Sequence, residues 1–165
     1  MSIFDKLDGV LPNEGRNQKF SEGDFTLKID ECIEKVSQQT SDNLFIVEFK
    51  VVESSVDSVK VGEGRSWVQY CKDPKVFRPA LSSFICATLG YDSKEDSELI
   101  EKEIAPKLKQ FGAAFTGQSI AKGFLVRCNV KNVTTKGGHP FKLHTFRRAL
   151  KPKEQMEQAK AKRAA

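Results

Sequence analysis

Three stretches in the first half of the chain alternate apolar and polar residues with the period of two that marks a half-buried strand. In the first, Phe25, Leu27 and Ile29 alternate with Thr26, Lys28 and Asp30, and the pattern runs on through Ile33 to Val36. Residues 37–43 are polar and turn-like. The clearest strand follows, with Phe45, Val47, Phe49 and Val51 set against Ile46, Glu48, Lys50 and Val52. A loop with Gly62 and Gly64 then leads into RSWVQYC (65–71), which reads as a third strand. Short polar connections between these stretches predict an antiparallel meander.

The period then changes. Asp73 followed by Pro74 is a helix start, with an N-capping carboxylate and a proline where its missing N–H costs nothing. Val76, Phe77, Ala80, Leu81, Phe84, Ile85 and Thr88 recur at helical spacing, and Gly90 closes the segment. Pro79 falls within its early turns, which would allow a start a few residues later. Residues 92–103 are acidic and predict a second helix carrying Leu99, Ile100, Ile104, Leu108 and Phe111, with Pro106 as a break. Alternation returns with Phe124, Val126, Cys128 and Val130, and again over residues 141–146 after the turn KGGHP (136–140).

The expected order is strand, strand, strand, helical segment, strand, strand. That order predicts a mainly β domain with inserted helices, an OB-like (oligonucleotide-binding) five-stranded barrel whose helical segment lies between strands 3 and 4. An α+β sheet with helices on one face also fits. The domain would span 24–149, between an irregular arm at 1–23 and a basic flexible tail at 150–165. A length of 165 residues suits one such domain.

The net charge of +5 hides a division. Residues 1–119 carry 15 basic and 20 acidic side chains, a net of −5, whereas residues 120–165 carry 12 basic and 2 acidic, a net of +10. Within that third, residues 120–149 hold seven basic residues and no acid. Such asymmetry is the footprint of a face that binds a polyanion.

Other chemistry finds little support. Cys32, Cys71, Cys86 and Cys128 are scattered, without the close pair a zinc site needs, and read as reduced thiols. Gly62 and Gly64 lack the further residues of a nucleotide-binding loop. No His stands with Cys or Ser in a catalytic setting, and Glu101 and Glu103 lie in a surface-like acidic helix. No enzyme, metal or cofactor is expected. The longest apolar runs, such as residues 44–47, fall far short of the roughly 18 residues of a membrane span. No secretory signal is visible at the start, so a cytoplasmic protein without membrane contact is expected.

With the apolar set of strand 4 inside, Arg127, Asn129 and Lys131 project outward. With Phe141 and Leu143 inside, strand 5 turns out Lys142, His144 and Phe146, followed by Arg147 and Arg148, and Lys136 sits in the turn. Cations that meet phosphates, interleaved with an aromatic that stacks on bases, suit a single-strand binder. Strand 3 adds Arg65, Trp67 and Tyr70. Alternation puts Trp67 and Tyr70 on opposite faces, so one stacks and the other is core.

The arrangement resembles the small phage-type single-stranded DNA-binding proteins. The resemblance rests on FSEGDFTLKI (20–29), LFIVEFKVVESS (44–55), GEGRSW (62–67) and the helix ending TLG (88–90), and spans roughly residues 20–148 as a loose profile. It implies an OB-like barrel that coats single-stranded DNA in phage replication, recombination or repair, in the host cytoplasm. The partner is then single-stranded DNA or RNA, with a second copy of the chain or a replication or recombination protein as further candidates. Many such proteins end in an acidic tail that recruits partners, whereas residues 150–165 are basic and would add non-specific DNA affinity. The rival expectation is an OB-like or α+β protein-interaction adaptor using the acidic helix and the basic tail.

Overall fold

The computed structural model describes residues 17–37 and 41–164, with side chains to residue 158. The arm expected at 1–23 therefore lies mostly outside the described residues. Five strands form one antiparallel sheet: β1 (Gly23–Val36), β2 (Asn43–Ser54), β3 (Gly64–Tyr70), β4 (Leu125–Thr134) and β5 (Pro140–Arg148). Their order is β3-β2-β1-β4-β5, so β3 and β5 are the two edges and are not paired with each other. The protein is mainly β with helices inserted between β3 and β4.

The first of these, α1 (Pro74–Leu89), begins and ends where its sequence dictates. The Asp73 carboxylate accepts the Lys75 N–H at 3.1 Å, and Pro79 stays within the helix. At the other end Gly90 N–H donates to the Ala87 carbonyl and Tyr91 N–H to the Cys86 carbonyl, the paired bonds of a left-handed C-cap. Gly90 has φ +97°, and a Cβ there would lie 2.6 Å from the Pro152 nitrogen, so only glycine fits. The acidic stretch is less regular than its pattern suggests. A short α2 (Ser97–Leu99) runs into a π-helical turn (Ile100–Ile104) and a 3-10 turn (Ala105–Lys107) before α3 (Leu108–Gly117). Pro106 lies in the 3-10 turn, where its missing donor disturbs no longer ladder.

Two register shifts in β1, between Thr26 and Leu27 and between Ile29 and Glu31, bend the sheet. It curls far enough for the inward side chains of its two edges to touch: the rings of Trp67 on β3 and Phe146 on β5 are centred 4.6 Å apart. Phe84 of α1 packs on both, at 5.3 and 5.1 Å. Phe20, Phe25, Phe45, Phe49, Phe115 and Phe124 complete the aromatic part of this core. Residues 17–20 occupy the gap between the edges. Ser66 N–H donates to the Gln18 carbonyl, Lys19 bridges Ser66 in parallel, and the Lys142 ammonium reaches the Phe20 carbonyl at 2.6 Å.

The stretch expected as a flexible tail holds α4 (Pro152–Ala164). Its Gln155 is fully buried: the side-chain oxygen accepts the Leu125 N–H, and its amide donates to the Leu125 and Thr88 carbonyls. The apolar periodicity of this segment is weak because it is anchored by a polar residue. Among the described residues no helix is long and apolar enough to cross a membrane. The four cysteines are free.

Candidate nucleic-acid interface

The β4–β5 hairpin carries most of the charge asymmetry, and its register decides which side chains face out. Val126, Cys128 and Val130 are buried, and their cross-strand partners are Arg148, Phe146 and His144. Directly opposed residues share a face. The inner face of β5 is therefore His144 and Phe146, and the outer face is Phe141, Leu143, Thr145 and Arg147. This inverts the expected phase. Phe141 and Leu143 are 45% and 46% exposed, while Phe146 is buried. The reason is what lies beneath: β1 pairs with β4 only as far as Val130, so the Phe141 end of the hairpin overhangs the sheet. Phe146 instead sits over Trp67 and Phe84, where there is a core to fill.

Several expected ligand-facing residues thus take other roles. Trp67 and Phe146 are core residues rather than stacking platforms. Arg65 is buried, because its guanidinium donates to the Glu63 carboxylate at 3.1 Å, the Gly64 carbonyl at 2.8 Å and the Ser58 carbonyl at 3.4 Å. It braces the β2–β3 loop. Arg148 pairs with Glu95 at 2.7 Å and Asp96 at 3.3 Å, tying the acidic segment to the sheet. Lys142 is held at the Phe20 carbonyl.

His144 also turns inward. Its ring lies 5.9 Å from Phe20, 6.2 Å from Trp67 and 6.3 Å from Phe146, and Nδ1 is 3.3 Å from the Lys142 carbonyl. Burial pushes its pKa down to about 4, and the charges of Lys142 and Lys19 act in the same direction. The imidazole is neutral at physiological pH, so it brings no positive charge to a ligand.

What remains outward forms a compact set. Arg127 and Arg147 are exposed and directly opposed across β4 and β5. Lys131 follows on the same face opposite Leu143, then Val133 opposite Phe141, with Lys136 exposed in the turn beyond. Tyr70 also lies on the outer face, half-buried opposite Leu44, so Trp67 and Tyr70 do occupy opposite faces. The pattern did contain Phe141, but assigned it to the interior. Its exposure follows from the overhang, which no single-strand periodicity records.

Among the described residues no cluster of three or more His, Cys, Asp or Glu is placed to hold a metal ion. A groove of about 770 Å³ runs between α1 and β5 and is lined by Pro79, Ser83, Cys86, Glu101, Thr145 and Arg147 among others. No protein-family model matches the chain, and no characterised protein matches it.

Proposed function

We propose that the chain is a non-catalytic, sequence-tolerant single-stranded DNA-binding protein, acting in phage DNA replication, recombination or repair. The outer face of the β4–β5 hairpin is its ligand surface. The observation that carries this reading is the pair Arg127 and Arg147, exposed and directly opposed, with Lys131 on the same face. Like charges directly opposite one another destabilise a sheet. A bound phosphate converts that repulsion into two charge-assisted hydrogen-bonding sites. Phe141, exposed at the end of the same face, supplies the aromatic surface on which a base stacks, a contact of roughly 1–3 kcal/mol.

The strand order supports an OB-like architecture. The order β3-β2-β1-β4-β5, with α1 between β3 and β4, is that of a five-stranded Greek-key barrel opened between β3 and β5. In this reading residues 17–20 and the Trp67–Phe146 contact span the open seam. Fluorescence-anisotropy titration with single- and double-stranded DNA and with RNA, at two salt concentrations, tests the function. Tight, salt-sensitive binding to single strands is expected. Absence of binding at low salt, or binding indifferent to salt, refutes it and returns the acidic 92–103 surface to consideration as a protein-docking face.

A further inference from the structure

The cationic face does not stop at the hairpin. On β1, Lys28 is directly opposed to Lys50 of β2 on one side and to Leu125 of β4 on the other. Thr26 faces Arg127. Lys28 and Arg127 are therefore diagonal neighbours, about 7–8 Å apart by sheet geometry. Arg127 in turn opposes Arg147. The four residues come one from each of four adjacent strands, all on the face opposite Leu27, Ile29, Val126 and Cys128, and cross roughly 14 Å of sheet.

Resting on the reading above, we propose that Lys50, Lys28, Arg127 and Arg147 form one continuous track that carries the phosphates of a single-stranded nucleic acid obliquely across the outer face of the sheet. Two like-charged cross-strand pairs stand in this row, Lys28 with Lys50 and Arg127 with Arg147. Only the uncharged Thr26 and Leu125 come between them. Among the described residues none of the four takes part in an ion pair; Arg147 acts on Asp92 only as a nearby charge.

The acids of this face adjoin the row: Asp30 follows Lys28 on β1 and Glu48 precedes Lys50 on β2. Glu48 is buried beneath Asn17 Nδ2 and Ser66 Oγ. Asp24 holds the Asn129 amide at 2.6 Å, and Glu53 stands opposite Thr26 at the end of β2. Acids flanking a row of cations confine a polyanion to one line. An extended single strand, whose backbone bends freely, follows such a line over a curved sheet. A duplex, stiff over about 150 base pairs, does not. Residues 1–119 carry a net negative charge, so their share in binding is hidden in the totals and emerges only from the pairing of strands.

The test uses the full chain and a labelled oligothymidylate of about 16 nucleotides, the upper end of a single-fold site. Affinity is measured over a series of salt concentrations for the wild type, K28A/K50A, R127A/R147A and the control K107A/K109A, whose lysines are exposed beyond the sheet. Each phosphate contact on a single strand contributes about 0.7 to the slope of log K against log salt. K28A/K50A is therefore expected to flatten the slope by about 1.4, as R127A/R147A does, while the control leaves it unchanged. K28R/K50R restores the slope, which loss of folding could not explain.

If K28A/K50A matches the control while R127A/R147A weakens binding, the track ends at the hairpin and the proposal is overturned, but the proposed function stands. If the wild type binds no single strand, both fall. A loss in K28A/K50A seen only with a DNA duplex of the same length, titrated in parallel, overturns the assignment of the occupant. Parallel titrations with oligouridylate separate RNA from DNA as the source of the phosphates.

Discussion

The side-chain amide of Gln155 pairs with the backbone of Leu125 as a strand residue would, accepting its N–H at 2.9 Å and donating to its carbonyl. It continues the β4 ladder where β5 has ended, and it also holds the Thr88 carbonyl at the end of α1 at 3.0 Å. One polar side chain thus joins sheet, helix α1 and helix α4. Gln155→Leu leaves three buried backbone groups without that partner, each worth roughly 1–3 kcal/mol when unsatisfied. We expect a loss of at least about 2 kcal/mol in urea denaturation. Removal of residues 152–165 should destabilise comparably, and an unaltered midpoint in both variants would show that α4 contributes nothing to the fold.

Trp67 is the only tryptophan and is 5% exposed, packed on Phe84 and Phe146. Its emission should be blue-shifted and poorly quenched by acrylamide, and should change little on addition of oligonucleotide. Phe146→Ala should cost about 3–5 kcal/mol by opening a cavity beneath the seam. Strong oligonucleotide quenching of Trp67 in a fully folded protein would return it to the ligand surface.

Phe141→Ala removes an exposed ring and should leave thermal stability within about 0.5 kcal/mol, as surface substitutions do. Affinity for single strands should fall by the roughly 1–3 kcal/mol of one stacked base. Equal affinities of the variant and the wild type would assign Phe141 no part in binding.

Burial holds His144 neutral in the folded state, with its pKa pushed down to about 4 against about 6.5 when unfolded. The unfolded chain therefore binds the extra proton first as pH falls. Stability from this group is complete above pH 6.5 and declines between 6.5 and 4, by on the order of 3 kcal/mol. Denaturation midpoints measured across that window should show the decline, and His144→Phe should flatten it. Titration of the His144 imidazole resonance near 6.5 in the folded protein would contradict its buried placement.

Local sequence alone specifies the strands β1, β2 and β3 and the limits of α1. Those elements follow from neighbours a few positions away, through apolar alternation, an Asp73 carboxylate on its own helix and a glycine at a left-handed cap. The burial of Leu44, Ile46 and Glu48 on the second face of β2 does not. Local sequence also marked Arg127, Lys131 and Lys136 as outward. Tertiary structure alone decided the phase of β5, because Phe141 and Phe146 are equally apolar and only the extent of β1 shows which of them has a core beneath it. Arg65 and Arg148 look as cationic as Arg127, but their partners at Ser58, Glu95 and Asp96 are brought to them by folding. Lys28 and Lys50 lie in an acidic half of the chain and join the basic face only through strand pairing. Charge and burial are properties of a surface, and the surface exists only once distant strands stand side by side.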